Sequence, residues 1–200
     1  MYGITAEAFS RGRSNLAVAR EMIAGGIRIL QYREKRDKKD YQDIYRECLE
    51  IRELTREHGV LFIVNDFVDI ALLVDADGVH LGQEDLPVAA ARKLLGPEKL
   101  IGLSTHSPEQ ARAAVAAGAD YIGVGPIYPT QTKENVCAAV GIGYLEYVAK
   151  NIALPFVAIG GIKQHNIARG ATTICLVTEI VGAEDIAATT RRLAAAITAP

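Results

Sequence analysis

The regular alternation of short apolar runs with longer amphipathic segments constrains this chain more than any other feature of its sequence. The apolar runs are rich in Val, Ile, Leu and Tyr, which is typical of buried parallel strands. The segments between them have helical spacing: in one, Ile44, Cys48 and Ile51 recur along one face before Gly59. Strands are predicted over residues 1–5, 28–33, 61–65, 78–82, 100–105, 121–127, 155–161 and 173–179.

Eight strands, each followed by a helical or loop segment, predict an α/β fold of the (β/α)8 TIM-barrel type. An open doubly wound sheet is the alternative, but it seldom has so many evenly spaced units. No linker or low-complexity stretch divides the chain, so residues 1–200 are expected to form a single TIM-barrel domain.

The connection over residues 162–172 fits this pattern poorly. It has eleven residues, whereas a parallel crossover with its helix needs at least roughly 10–12. Either the helix is reduced to about one turn, or the sequence lacks residues at this point. We favour the second explanation, because a barrel wall without its helix would expose the apolar faces of two strands.

Composition and charge exclude several classes of protein. The formal net charge of -2 and the pI near 6.1 give no basic surface for nucleic acid or an anionic membrane. There is neither an apolar run of ~20 residues nor a signal-peptide layout. Cys48, Cys137 and Cys175 are too widely spaced for a disulfide framework or a zinc site. We expect a soluble cytoplasmic protein, and a homo-oligomer remains open.

Polar side chains crowd the predicted carboxyl ends of the strands and are sparse within the strands. In TIM barrels the active site lies at these ends. The candidates on the second to fifth strands are Gln31, Arg33, Lys35, Asn65, Asp66, His80, Gln83, Glu84, Asp85, Ser104, Thr105 and His106. His80 and His106 are interpreted as structural histidines, and no Ser–His–Asp arrangement or dinucleotide fingerprint is indicated.

Asp66 and Asp85 follow neighbouring strands, and together they favour a magnesium site completed by substrate phosphates and water. For either aspartate alone, capping of the next helix is an equal alternative. Arg33 and Lys35 would supply cations to a polyphosphate. Arg36, Lys38 and Lys39, in the same charge run, are interpreted as solvated.

Two further segments indicate anion binding. "AIGGI" and "VTEI" follow the last two predicted strands, where barrels frequently bind phosphate, although two glycines alone are a weak signal. Residues 124–141 form a long irregular loop in which Thr130, Thr132 and Lys133 offer two hydroxyls and a cation. Thr130 and Thr132 would point to one side of an extended segment, and residues 134–141 are predicted to form a mobile lid.

Seven motifs follow one another along this chain: "QYREK", "ND", "DGVHLGQEDLP", "IGLSTH", "GADYIGVGPIYPTQTK", "FVAIGGI" and "LVTEIVGAED". In these motifs and their order the chain resembles the thiamine phosphate synthase (thiamine-phosphate pyrophosphorylase) family. The resemblance covers nearly the whole chain. It implies a magnesium-dependent transferase that joins an aminopyrimidine methyl diphosphate to a thiazole phosphate, or its carboxylated form. The products would be thiamine phosphate and pyrophosphate, formed through a pyrimidine cation.

The resemblance also implies roles for individual residues. One Mg²⁺ per active site would be held by Asp66 and Asp85, and Arg33, Lys133 and Ser104 would carry catalysis. Residues implied for the pyrimidine diphosphate are Gln31, Tyr32, Arg33, Glu34, Lys35, Asn65, Ser104 and Lys133. Residues implied for the thiazole phosphate are Thr130, Gln131, Thr132, Gly161, Val177 and Thr178.

The sequence departs from the family pattern at two points. Tyr32 replaces a usual leucine, and Glu179 places a carboxylate beside the implied thiazole phosphate, which it would repel unless it points away. A thiazole tautomerase-like paralogue and a non-catalytic phosphate-binding barrel are the alternatives. The full set of diphosphate-binding residues argues against the first, and the second predicts binding without turnover.

Overall fold

Residues 1–130, 132, 137–166 and 173–198, the part of the chain that this computed structural model describes, contain seven parallel strands in one sheet. The order of the strands follows the chain, so each strand neighbours the next. Their carboxyl ends therefore meet at one edge of the sheet. The strands are β1 (Tyr2–Ile4), β2 (Ile29–Tyr32), β3 (Leu61–Asn65), β4 (Gly78–Leu81), β5 (Leu100–Thr105), β6 (Tyr121–Val124) and β7 (Phe156–Ala158).

Ile174 and Cys175 take the place of an eighth strand and close the sheet. Ile174 forms a parallel bridge with Ala158 in β7, and Cys175 forms one with Tyr2 in β1. The Cys175 N–H donates to the Ala158 carbonyl at 2.9 Å, and the Tyr2 N–H donates to the Ile174 carbonyl at 3.2 Å. These bonds join the last strand to the first, so the predicted TIM-barrel class is confirmed.

The predicted strand over residues 173–179 is wrong beyond its two bridge residues. The backbone at Val177 already has φ −80° and ψ −76°, and a helix starts at Thr178. The predicted strand over 155–161 is also too long, because β7 ends at Ala158. Gly160 and Gly161 have φ values of 95° and 63°, which an extended strand cannot contain. The chain therefore leaves the sheet early on both sides of the crossover.

The helices surround the sheet, and the helix over Pro108–Ala117 has a serine N-cap and a glycine C-cap. The Ser107 hydroxyl accepts a hydrogen bond from the Gln110 N–H at 3.3 Å, and Gly118 ends that helix with φ 80°. None of the helices that the structure describes is long and apolar enough to cross a membrane. The α-helices are α1 (Asn15–Ala24), α2 (Tyr41–Glu57), α3 (Val68–Leu73), α4 (Val88–Leu95), α5 (Pro108–Ala117), α6 (Gly141–Asn151), α7 (Thr178–Val181) and α8 (Ile186–Thr198).

The main hydrophobic core lies between the sheet and these helices. It includes Phe62, Ile101 and Ile122, whose side chains are fully buried. Burying one such side chain contributes roughly 1.5–3 kcal/mol. A second, smaller cluster of Tyr2, Ile4, Tyr121, Val157 and Cys175 lies in the interior of the barrel. Successive strand residues point to opposite faces, so β6 serves both clusters, with Ile122 in the first and Tyr121 in the second.

The short crossover after β7 contains one 3-10 turn, Gln164–Asn166, in its described part. Residues 167–172 lie outside the described residues. The two explanations offered for this segment therefore both stand as predictions.

Candidate active site

Lys35, Asp66 and Asp85 meet at the carboxyl ends of three consecutive strands. Lys35 Nζ lies 2.6 Å from Asp66 Oδ2, and the Asp66 side chain is only 16% exposed. The Asp85 carboxyl lies near enough to Asp66 to alter its ionisation. The structure thus brings together the two carboxylates and one of the two cations that the sequence predicts here.

The surroundings of Asp66 disfavour its negative charge. Burial raises the pKa of Asp66, the neighbouring Asp85 carboxyl raises it further, and the ion pair with Lys35 opposes both without cancelling them. In the described part of the chain, no group of three His, Cys, Asp or Glu side chains is arranged to hold a metal ion. A cation placed here would therefore have two carboxylates and would take its other oxygen ligands from phosphate or water, a set that suits Mg²⁺. The residues present fit that ion.

Neither aspartate caps the helix that follows it. The N-cap residues of α3 and α4 are Phe67 and Pro87, and neither helix has a side-chain cap hydrogen bond. The Gly82 N–H instead donates to Asp85 Oδ2 at 2.6 Å, and Asp66 itself has φ 66°. Non-glycine residues with positive φ are uncommon and concentrate at functional positions. The capping interpretation is therefore wrong for both carboxylates.

Arg33 and Asn65 occupy the strand ends that carry Lys35 and Asp66. The Arg33 N–H donates to the fully buried Thr5 hydroxyl at 3.1 Å, which ties the end of β2 to the end of β1. Asn65 is 7% exposed and lies beside His80 in the register of β3 and β4. The backbone of both residues thus lies at the strand ends that carry the Lys35–Asp66 pair.

Gln31 and Ser104 belong to one hydrogen-bonded chain inside the barrel. Gln31 Nε2 donates to Tyr2 Oη at 2.8 Å, and His80 Nε2 lies 2.9 Å from Ser104 Oγ. Tyr121 Oη joins the two halves, at 2.9 Å from Tyr2 Oη and 3.1 Å from His80 Nδ1. The structure therefore connects two predicted site residues through three side chains that lack a predicted role in the site.

Sequence reasoning missed Tyr2 and Tyr121, although a glycine within β5 signals the ring of Tyr121. A Cβ on Gly102 would lie 2.1 Å from Tyr121 Cζ, and a Cβ on Gly123 would lie 3.3 Å from His80 Cε1. Glycine within a strand often marks such a close approach. Each glycine here leaves room for a ring in the barrel interior.

The side chains of Tyr32 and Glu34, both implied for the pyrimidine site, bond to residues outside the barrel interior. The fully buried Tyr32 O–H donates to Glu47 Oε2 on α2 at 2.7 Å. Glu34 Oε1 accepts from the Glu7 N–H at 3.1 Å and from Asn15 Nδ2 at 3.0 Å. These bonds fasten the end of β2 to α2 and to the start of α1.

Lys39 belongs to this same polar cluster, so its interpretation as a solvated charge is wrong. Its side chain is 15% exposed and pairs with Glu7 and Glu47. Burial acts to lower the pKa of Lys39, but hydrogen bonds to Glu47 and Glu7 outweigh it and the pKa is raised. Arg36 and Lys38 are exposed, as predicted.

Thr130 and Thr132 lie on the segment that follows β6. Their hydroxyl oxygens are 3.0 Å apart, so both side chains reach the same side, as the sequence predicts. Gln131 and Lys133, which the resemblance also implies, lie outside the described residues. So do residues 134–136 of the predicted lid.

Gly161 lies directly against that segment. A Cβ on Gly161 would be 2.6 Å from the Pro129 carbonyl oxygen and 2.8 Å from Tyr128 Cβ. The Tyr128 N–H also donates to the Gly160 carbonyl at 3.0 Å. The loops after β6 and β7 are therefore packed together, which brings Gly161 close to the segment that carries Thr130.

Val177 and Thr178 stand at the start of the four-residue helix α7. Glu179, the next residue, forms an ion pair with Lys163 at 3.2 Å. The Lys163 ammonium compensates the carboxylate that departs from the family pattern.

This chain is similar to known proteins over nearly its whole length. The family model described as thiamine monophosphate synthase matches residues 1–180. The thiamine-phosphate synthase of Pelotomaculum thermopropionicum is 64% identical and aligns with 98% of this chain and 91% of its own length. The thiamine-phosphate synthase of Lawsonia intracellularis is 55% identical and aligns with 93% of this chain and 87% of its own length. The structure of thiamine phosphate pyrophosphorylase from Pyrococcus furiosus superposes with a TM-score of 0.88 at 35% identity, covering 98% of this chain and 94% of that one.

Proposed function

Since the chain belongs to the thiamine monophosphate synthase family, we propose that it joins the aminopyrimidine methyl diphosphate to the thiazole phosphate with magnesium-dependent release of pyrophosphate. The family and the named relatives make the protein a thiamine-phosphate synthase, a transferase that forms thiamine phosphate from small-molecule substrates. They favour this function over the tautomerase-like and non-catalytic alternatives. One observation carries the proposed route: Lys35 pairs with Asp66 beside Asp85 at the strand ends.

The diphosphate of the pyrimidine substrate would bind over β2 to β5. Asp66 and Asp85 would hold one Mg²⁺, and Arg33 and Lys35 would face the phosphate oxygens from the end of β2. When bound, Mg²⁺ supplies positive charge that makes diphosphate a better leaving group. Lys133 is proposed as a further cation for this group, as the resemblance implies.

The reaction itself requires one bond to break and one to form. The bond between the methylene carbon and the diphosphate oxygen breaks, and its electron pair leaves with the diphosphate. The lone pair of the thiazole nitrogen then forms the new carbon–nitrogen bond. No proton transfer and no covalent protein intermediate are needed, so the task of Arg33, Lys35 and Ser104 is to stabilise the charge that develops on the leaving group.

The thiazole phosphate would bind where the loops after β6 and β7 meet. Gly161 packs against Pro129 and Tyr128, and the Thr130 and Thr132 hydroxyls lie on the adjoining segment. Val177 and Thr178 would complete this region at the start of α7, and the Lys163–Glu179 pair limits repulsion there. A phosphate anchored here would hold the thiazole nitrogen in position for attack.

The magnesium requirement of two variants tests this proposal. Asp66→Asn and Asp85→Asn are each expected to raise the Mg²⁺ concentration needed for half-maximal activity by at least about tenfold, because each removes one of two carboxylate ligands. Asp43→Asn, which changes a half-exposed carboxylate on α2, serves as the matched control. Thermal unfolding of each variant establishes that it is folded. Identical Mg²⁺ dependence in all three variants would refute the metal assignment.

A further inference from the structure

The hydrogen-bonded chain inside the barrel connects five strands in a fixed sequence of contacts. It runs from Gln31 in β2 to Tyr2 in β1, to Tyr121 in β6, to His80 in β4 and to Ser104 in β5. Every step is between 2.8 and 3.1 Å. Distances in this range are those of well-formed hydrogen bonds. The chain therefore couples the floor of the proposed diphosphate site to the core of the barrel.

The packing around the chain leaves its rings little freedom. The Tyr121 ring centroid lies 5.5 Å from that of His80 and 6.2 Å from that of Tyr2. Tyr2 and Tyr121 are 2% and 8% exposed. Gly102 and Gly123 provide the space that the two central rings occupy. The packing of the strands thus fixes the order of these contacts.

The donors and acceptors give this chain a direction. An amide nitrogen can only donate, so the Tyr2 oxygen accepts the hydrogen bond from Gln31. We therefore assign the single Tyr2 proton to Tyr121 Oη and the single Tyr121 proton to His80 Nδ1, the acceptors within hydrogen-bond distance of each hydroxyl. Burial raises the pKa of both phenols, so both remain protonated donors throughout the working range of an enzyme.

The donor-to-acceptor direction of the hydrogen bonds continues from His80 to Ser104. Because Nδ1 accepts from Tyr121, the proton of the neutral imidazole resides on Nε2, which donates to Ser104 Oγ. One lone pair of the Ser104 oxygen is then occupied, and its own proton remains available for a different acceptor.

We propose that Tyr121 and His80, oriented by Tyr2 and Gln31, are positioning residues that fix the Ser104 hydroxyl as a hydrogen-bond donor to the diphosphate. This inference rests on the proposed function, which places the diphosphate beside Ser104. A donor held in position before the reaction stabilises charge as it develops on the leaving oxygen. A hydroxyl that turns freely would spend part of its time with its lone pairs toward the same oxygen.

Nitrogen-15 NMR of the histidine rings tests the chain independently of activity. The protein is labelled at its four histidines and measured where they are neutral, and the His80→Gln variant identifies the His80 signals. We expect a protonated Nε2 and a hydrogen-bonded, unprotonated Nδ1. Tyr121→Phe should shift the Nδ1 signal, whereas Tyr144→Phe, which removes another buried hydroxyl, should leave it in place. A protonated Nδ1, or an Nδ1 signal unchanged in Tyr121→Phe, would overturn the proposal.

A double-mutant cycle tests whether the chain acts through Ser104. Tyr121→Phe alone is expected to lower kcat about tenfold, the effect of one lost hydrogen bond in the transition state. In a Ser104→Ala background the same change should have no further effect. Losses that multiply would show that Tyr121 does not act through Ser104. Absence of product from the wild-type protein would refute the proposed function and this role together, while the spectra alone decide whether the hydrogen-bond chain exists.

Discussion

The Lys35 ammonium lies 2.6 Å from the Asp66 carboxylate, and Asp85 adds a second negative charge at the same place. One cation therefore faces two carboxylates in a partly buried site. A divalent cation would satisfy the carboxylates and leave Lys35 to a phosphate oxygen. This single contact thus links the proposed metal position to the proposed diphosphate position.

Replacing Lys35 should weaken diphosphate binding and catalysis together. A charge-assisted hydrogen bond contributes about 1.5–3 kcal/mol, so Lys35→Ala is expected to lower kcat/KM for the pyrimidine diphosphate by roughly 10–150-fold. Steady-state kinetics at saturating thiazole phosphate measure this. Lys93→Ala, which removes an exposed ammonium on α4, is the matched control. Equal kcat/KM values for the two variants would contradict the role of Lys35.

Gly161→Ala should affect the thiazole phosphate selectively. The new Cβ would collide with the Pro129 carbonyl oxygen at 2.6 Å and displace the loop after β6. We expect the KM for the thiazole phosphate to rise about tenfold or more, with the KM for the pyrimidine diphosphate within about twofold. Gly59→Ala separates collision from backbone strain, because Gly59 has the same φ of 63° with open space around it. A thiazole KM that changes equally in both variants would argue against this location of the phosphate.

Gly102→Ala should destabilise the barrel interior. Its Cβ would lie 2.1 Å from the Tyr121 ring, and overpacking of this kind costs about 1–3 kcal/mol. Gly143 on α6 has nothing within 4 Å of an added Cβ, so Gly143→Ala should keep or raise stability by up to ~1 kcal/mol. Urea denaturation gives both free energies of unfolding. A Gly102→Ala protein as stable as the wild type would show that the rings can move aside.

The polar cluster around Glu47 should make stability depend on pH in the acid range. Burial acts to raise the pKa of Glu47, but hydrogen bonds from Lys39, Asn15 and Tyr32 outweigh it and lower the pKa below 4.5. A carboxylate whose pKa is lowered by folding stabilises the fold at pH values above its pKa in the unfolded chain. This contribution is lost as the pH falls through its pKa in the folded protein.

Glu47→Gln should therefore be less stable than the wild type at pH 7, by about 1–2 kcal/mol. The difference between the two proteins should shrink as the pH falls below 4.5. Urea denaturation over a pH series measures it. A difference that stays constant from neutral to acid pH would mean that the charge of Glu47 does not contribute.

Most of the fold follows from the sequence, because strand and helix periodicity and helix-capping residues are local signals. α5, for example, begins after Ser107 and ends at Gly118, residue types that are common at these helix ends. The strand over 173–179 is mispredicted, because its apolar run is compatible both with a continued strand and with the start of α7. What ends the strand there is the backbone conformation at Val177, which composition does not determine.

The candidate site, like the fold, is predictable from the sequence only in part. Asp66, Asp85 and Lys35 follow from their positions at strand ends, since parallel strands bring those ends together. Lys39 was misjudged because its burial depends on Glu7 and Glu47, which are distant in sequence. The links from Gln31 to Ser104 depend on side chains of five strands, and only the packing of the barrel shows that they touch.

Product analysis with both substrates tests the central claim most directly. The protein is incubated with the pyrimidine diphosphate, the thiazole phosphate and Mg²⁺, and thiamine phosphate and pyrophosphate are quantified in the same samples. The account predicts that both products accumulate in equal amounts and that chelation of Mg²⁺ stops them together. Isomerisation of a carboxylated thiazole phosphate without pyrophosphate release, or equal turnover after complete removal of Mg²⁺, would contradict it.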